Sequence, residues 1–138
     1  MKIVVSACLL GENCKYNGGN NYSQAVAEFV QGREVIPVCP EVLAGLGTPR
    51  IPMEIVNGVV MDKNGNRLDD ALRKAVDTIL EQLKEEDVEC VILKSRSPTC
   101  GVKEIYDGTF SGKQIPGMGV LAKALKDAGY RVLDAEDI

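Results

Sequence analysis

Histidine is absent from this chain of 138 residues. Its absence removes the commonest imidazole metal ligand and the usual proton carrier near neutral pH. Acid–base work must therefore fall to a carboxylate, lysine, tyrosine, cysteine or water. No apolar stretch approaches the ~20 residues of a membrane-spanning helix, so no membrane partner is expected. The net charge is −4 with no basic run, which removes any general attraction to nucleic acid. No Gly-x-Gly-x-x-Gly follows the first apolar run, so a dinucleotide-binding module is disfavoured. There is also no Cys-x-x-Cys. The five cysteines are an odd number, which argues against a disulfide framework and for a reducing, cytoplasmic setting.

What is present reads as one α/β domain spanning residues 1–138, long enough to bury a sizeable core. Val5-Ser6-Ala7-Cys8 has the look of a lipoprotein cleavage site, but the apolar run before it, Ile3-Val4-Val5, is too short for a signal segment and reads as a strand. A Gly/Asn-rich loop, 11–21, leads to a helix over about 22–31 that Gly32 stops. Residues 34–38 give a second strand and close a βαβ unit. A turn-rich stretch, 39–52, precedes a hairpin around Asn57-Gly58, where both turn residues tolerate positive φ. The longest helix, about 68–85, carries an apolar stripe from Leu68 to Leu83, with Asn66 as its expected cap and Asp69 and Asp70 complementing its positive start. Residues 89–93 form a third apolar run, as in a sheet covered on both faces. A hairpin-like excursion turning at Asp107-Gly108, a last helix over about 118–128 and a strand at 130–133 complete the chain. The fold expected is Rossmann-like: a mostly parallel sheet of about four strands, helices on both faces, and inserted hairpin or loop regions.

Three of the cysteines then stand out by position. Cys8, Cys39 and Cys100 each follow a predicted parallel strand, and the carboxyl ends of such strands form the rim where α/β sheets bind ligands. If the first strand lies between the second and third, three distant thiolates converge on one crevice. Thiolates without imidazole suit zinc or an iron–sulfur cluster. Three ligands leave one position open, and an open metal is a Lewis acid. Cys90 lies inside an apolar strand and reads as a small core hydrophobe. Cys14, in the loop after Cys8, is a fourth ligand, a redox partner or a plain loop residue.

Glu41, two residues beyond Cys39, is the best acid–base candidate, with a solvated loop charge as the alternative. Ser97 precedes Pro98 and is at least a turn former. Arg50, in the stiff segment Thr48-Pro49-Arg50-Ile51-Pro52, either holds a substrate oxygen or pairs with Glu54 to brace the loop, the second being preferred. Tyr16 and Tyr106 either stack on a planar ring or cover a core edge.

Ser6-Ala7-Cys8-Leu9-Leu10-Gly11 with Cys14 and Tyr16, Cys39-Pro40-Glu41 running to Pro49-Arg50-Ile51-Pro52-Met53-Glu54, and Lys94 with Ser97-Pro98-Thr99-Cys100-Gly101 together resemble the thiouracil desulfurase family. The three motifs occur in order over nearly the whole chain. The resemblance implies a [4Fe–4S] cluster held by Cys8, Cys39 and Cys100, with its fourth iron free for the sulfur of a small thiolated base or thioamide. It also implies catalytic roles for Glu41 and Ser97, and no ligand role for Cys14. Thr99 stands where the family more usually has serine. The implied reaction converts a thiocarbonyl such as that of 2-thiouracil to a carbonyl and releases sulfide without net redox change. A non-catalytic iron–sulfur or zinc protein that senses redox state or sulfur is the alternative.

Overall fold

The computed structural model describes residues 1–138. Strands β1 (Lys2–Ser6), β2 (Glu34–Val38), β5 (Val88–Leu93) and β8 (Val132–Asp134) form one sheet in the order β2-β1-β5-β8. Every pairing in it is parallel, so all four carboxyl ends lie on one rim. β1 indeed sits between β2 and β5, which sets the two crossovers on either side of it.

The continuous apolar runs are explained by cover on both faces. Ile3, Val5, Cys90 and Ile92 point to the side taken by helix α1 (Gln24–Phe29), through Val26 and Val30. Val4, Val91 and Leu93 point the other way, against α3 (Asp69–Leu83) and α4 (Val120–Asp127). Leu72, Ile79, Leu83, Leu121 and Leu125 are all essentially inaccessible. Each such side chain contributes roughly 1.5–3 kcal/mol by leaving water. Cys90, 2% exposed, is part of this packing as expected.

Several local expectations change. The stretch after Cys39 is not only turns: Pro40–Leu43 forms a one-turn helix, α2, with Cys39 at its N-cap and Pro at the first position. Asn66 does not cap α3. Its backbone and side-chain N–H groups donate to Asp62 instead, at 3.0 and 2.9 Å, stabilising the turn before the helix. Asp69 is buried at the helix start, where it accepts from Val60 N at 3.1 Å and pairs with Arg73 at 2.7 Å.

Two hairpins project beside the carboxyl rim. β3 (Met53–Val56) and β4 (Val59–Asp62) turn at Asn57-Gly58, with φ of 50° and 79° as the sequence demanded. β6 (Glu104–Tyr106) and β7 (Gln114–Pro116) form the second, joined by residues 107–113. Glu54 ties the two together. Glu54 is 8% exposed, and its Oε1 accepts from the N–H groups of Gly108 and Phe110 at 3.0 and 3.1 Å. Glu54→Ala should lower stability by about 2 kcal/mol, the net worth of hydrogen bonds to a buried charge. A urea midpoint equal to wild type would show that the clamp contributes nothing.

Candidate active site

The three strand ends deliver their cysteines as the topology requires. Cys8 lies in a tight helical turn, Ala7–Leu10, directly after β1. Cys39 bridges β2 and α2, and Cys100 lies within the loop between β5 and β6. All three, with Cys14, line one cavity of about 540 Å³ at the carboxyl rim. Cys90 is not among its walls.

The donor set has a definite character. No three Cys, Asp or Glu side chains come close enough together to hold one metal ion. Cys8 lies near enough to Cys39 and to Cys100 for their charges to act on one another, and cysteines gathered on one cavity are the donors that iron–sulfur clusters use. Arg50 also lines the cavity, and its buried Nε lacks a hydrogen-bond partner, a cost in stability at this site.

Burial dominates the thiols. It pushes Cys100, 5% exposed, up to about 12, against hydrogen bonds from Ser6 and Thr99 that favour the thiolate. It pushes Cys14 to about 12 as well, helped by the neighbouring charges of Cys39 and Cys8. Cys8 is raised by burial and partly offset by a hydrogen bond from Asn21. Such thiols surrender their protons to a bound cation, so loading a metal centre here releases protons.

Glu41 stands in the only turn of α2, 15% exposed. Its Oε2 pairs with Arg50 Nη2 at 2.6 Å, and its Oε1 accepts from Thr99 Oγ1 at 3.4 Å. The expected Arg50–Glu54 brace is therefore not formed: Glu54 holds the second hairpin, and Arg50 holds Glu41. Backbone tethers decide this. Arg50 N donates to Tyr16 O at 2.6 Å and Nη2 to Cys14 O at 2.7 Å, which carries the guanidinium to the Cys14 loop and away from β3. The Arg50 side chain is 7% exposed, so the pair lies in low dielectric.

Ser97 also lines the cavity. Its hydroxyl oxygen accepts from the backbone N–H groups of Thr99 and Cys100, both at 3.1 Å, so the sequence reading of a turn former is correct as far as it goes. The turn it caps is packed hard against α4. A Cβ on Gly119 would meet Thr99 C at 2.5 Å and Cys100 N at 2.8 Å, and one on Gly101 would meet Ser97 O at 2.8 Å.

Tyr16 and Tyr106 both face the cavity, joined by Phe110, which the sequence reading passed over. Ser6 and Asn21 were also missed. Ser6 accepts from Lys94 N at 3.0 Å, joining the ends of β1 and β5 beneath Cys8 and Cys100. Ser6 alone carried a signal: a polar residue closing an apolar strand just before a rim cysteine.

Fold and site together define a thiolate-lined rim site on a parallel α/β sheet, sized for a cluster and furnished with a buried carboxylate. The sequence model of the family described as 2-thiouracil desulfurase matches residues 3–137, and the chain belongs to that family. It is 38% identical to YbbK of Bacillus subtilis (strain 168), an uncharacterized protein, over an alignment of 146 residues that covers 99% of this chain and 97% of the relative. Among solved structures, the [4Fe–4S]-dependent thiouracil desulfidase TudS superposes with a TM-score of 0.90 at 32% identity, covering 99% of this chain and 92% of that one.

Proposed function

We propose that this chain is a [4Fe–4S]-dependent desulfurase that converts the thiocarbonyl of a small thiolated nucleobase, such as 2-thiouracil, to a carbonyl with release of sulfide. The observation that carries the reading is the convergence of Cys8, Cys39 and Cys100 on one cavity that also holds Glu41. Family membership and the likeness to TudS support the same chemistry. Cys8, Cys39 and Cys100 hold the cluster. When bound, it supplies a soft Lewis-acidic iron with an open position for the substrate's sulfur.

The protein's own groups do the rest. The net reaction replaces the thiocarbonyl sulfur by the oxygen of water and expels hydrogen sulfide, so both protons of water must leave oxygen and reach sulfur. Glu41 is the only carboxylate of the cavity placed two residues from a ligand cysteine. Arg50 immobilises its Oε2, which leaves Oε1, contacted only at 3.4 Å, as the atom that takes a proton from water and later returns it. Tyr106 and Phe110 offer flat apolar faces to a planar ring, and the hairpins limit water entry.

The direct test is anaerobic reconstitution with iron and sulfide, followed by assay of sulfide release and loss of thiouracil absorbance. A protein that takes up the cluster and releases no sulfide from any thiolated base or thioamide would instead be a sensor. Gly119→Ala tests the scaffold. The added methyl group collides with the Cys100 turn, so stability should fall by about 1–3 kcal/mol. Iron bound per chain should fall with it, although Gly119 is not a wall of the cavity. Wild-type iron content in Gly119→Ala would mean that this contact does not set the position of Cys100.

A further inference from the structure

The resemblance treats Ser97 as a catalytic group, yet its hydroxyl has no bonding capacity left. A serine oxygen offers one proton and two lone pairs. Both lone pairs are taken by the N–H groups of Thr99 and Cys100. The proton has Thr99 Oγ1 at 2.9 Å, so Ser97 must be the donor in that contact. Thr99 Oγ1 thereby has one lone pair filled, and its own proton points onward. Two acceptors are in reach, Glu41 Oε1 at 3.4 Å and Cys100 Sγ at 3.7 Å, and the carboxylate is the stronger. Thr99 is 1% exposed in the cavity wall, with its hydroxyl engaged by Ser97 and Glu41.

We infer that Ser97 acts through Thr99, and that Thr99 is the positioning residue that aims Glu41. The chain of hydrogen bonds has one polarity: Ser97 donates to Thr99, Thr99 donates to Oε1, and Arg50 donates to Oε2. With Oε2 held by Arg50 at 2.6 Å and Oε1 contacted by Thr99 Oγ1 at 3.4 Å, the two donors together orient the carboxylate. Threonine suits this task because its branched Cβ restricts χ1 and so fixes the hydroxyl. Ser97 also holds the Cys100 N–H, so the same residue that sets a cluster ligand sets the carboxylate's aim.

The inference rests on the desulfurase reading, and its test separates the two. Ser97→Ala, Thr99→Val, the double variant and Thr99→Ser are reconstituted, and rates are taken per iron-loaded chain. Ser97→Ala and Thr99→Val should each lower kcat by about 10²-fold with KM unchanged, the cost of misplacing a reacting group by about 1 Å. The double variant should be no slower than the slower single one, because both act on one contact. Thr99→Ser should restore most of kcat. Losses that multiply in the double variant, or a raised KM in Ser97→Ala, would place Ser97 on the substrate and overturn the inference. A crystal structure of Ser97→Ala needs no substrate: Thr99 Oγ1 should be turned away from Glu41, and an unmoved Thr99 would overturn the inference too. Wild-type protein with a full cluster and no sulfide release overturns the desulfurase reading, while that crystal structure still decides the hydroxyl chain.

Discussion

Alanine at any one of Cys8, Cys39 and Cys100 should abolish both the visible absorbance of the reconstituted cluster and all sulfide release, while Cys90→Ala retains both. The argument is one of coordination number. Each of the three comes from a different strand end, and the nearest cavity carboxylate, Glu41, is already engaged by Arg50. Burial sharpens the effect. Cys100 is a thiol raised to about 12, so its environment stabilises sulfur either protonated or metal-bound, and a two-thiolate site has no reserve to hold the cube. The fold itself should survive, because the two apolar layers are made mainly by strand and helix side chains; Cys8 and Cys39 lie outside them or at their edge, and only Cys100→Ala removes a core side chain, with some loss of stability. Circular dichroism, iron and acid-labile sulfide on each variant separate cluster loss from unfolding. Full iron in any one of the three variants would remove that cysteine from the ligand set, and Cys14, which lines the same cavity, would be the first replacement to examine.

Much of this was legible in the sequence because the sheet is parallel and buried. Three short apolar runs read as strands of one parallel sheet, β2 at its edge, and the segment after each lands on the same rim, bringing Cys8, Cys39 and Cys100 there. The hairpin at Asn57-Gly58 was legible for a local reason, its two positive φ angles. What stayed hidden was decided by long-range contacts. Helix α2 is a single turn begun by Pro40 and closed by the glycines that follow, so it has no periodicity to read. The choice of Arg50 between Glu41 and Glu54 depends on its tethers to Tyr16 and Cys14, more than thirty residues away in the chain. The link from Ser97 through Thr99 to Glu41 joins residues 58 positions apart at one end and two at the other, and only the two-residue step could be suspected from a Ser-Pro-Thr turn.

Glu41→Gln should keep the cluster and lower kcat by about 10²–10⁴-fold, the range of a positioned acid–base group. The amide preserves the size of the side chain and can keep its oxygen on Arg50 Nη2, with its nitrogen turned toward Thr99. It cannot take a proton from water. In the proposed ligand set Glu41 has no part, and the three cysteines are held by other backbone and side-chain contacts, so iron content and visible absorbance should match wild type. Breaking the charge pair leaves Arg50 buried without its carboxylate, and removing one partner of such a pair costs about 3–5 kcal/mol. The loss of stability must therefore be separated from the loss of rate. Arg50→Met provides the control: it removes the same ion pair from the other side, keeps a carboxylate that can take a proton though no longer held at Oε2, and should lose comparable stability with a smaller loss of kcat. Turnover by Glu41→Gln equal to wild type would mean that water or another group moves the proton, and that Glu41 serves only to hold Arg50 and the Cys14 loop together.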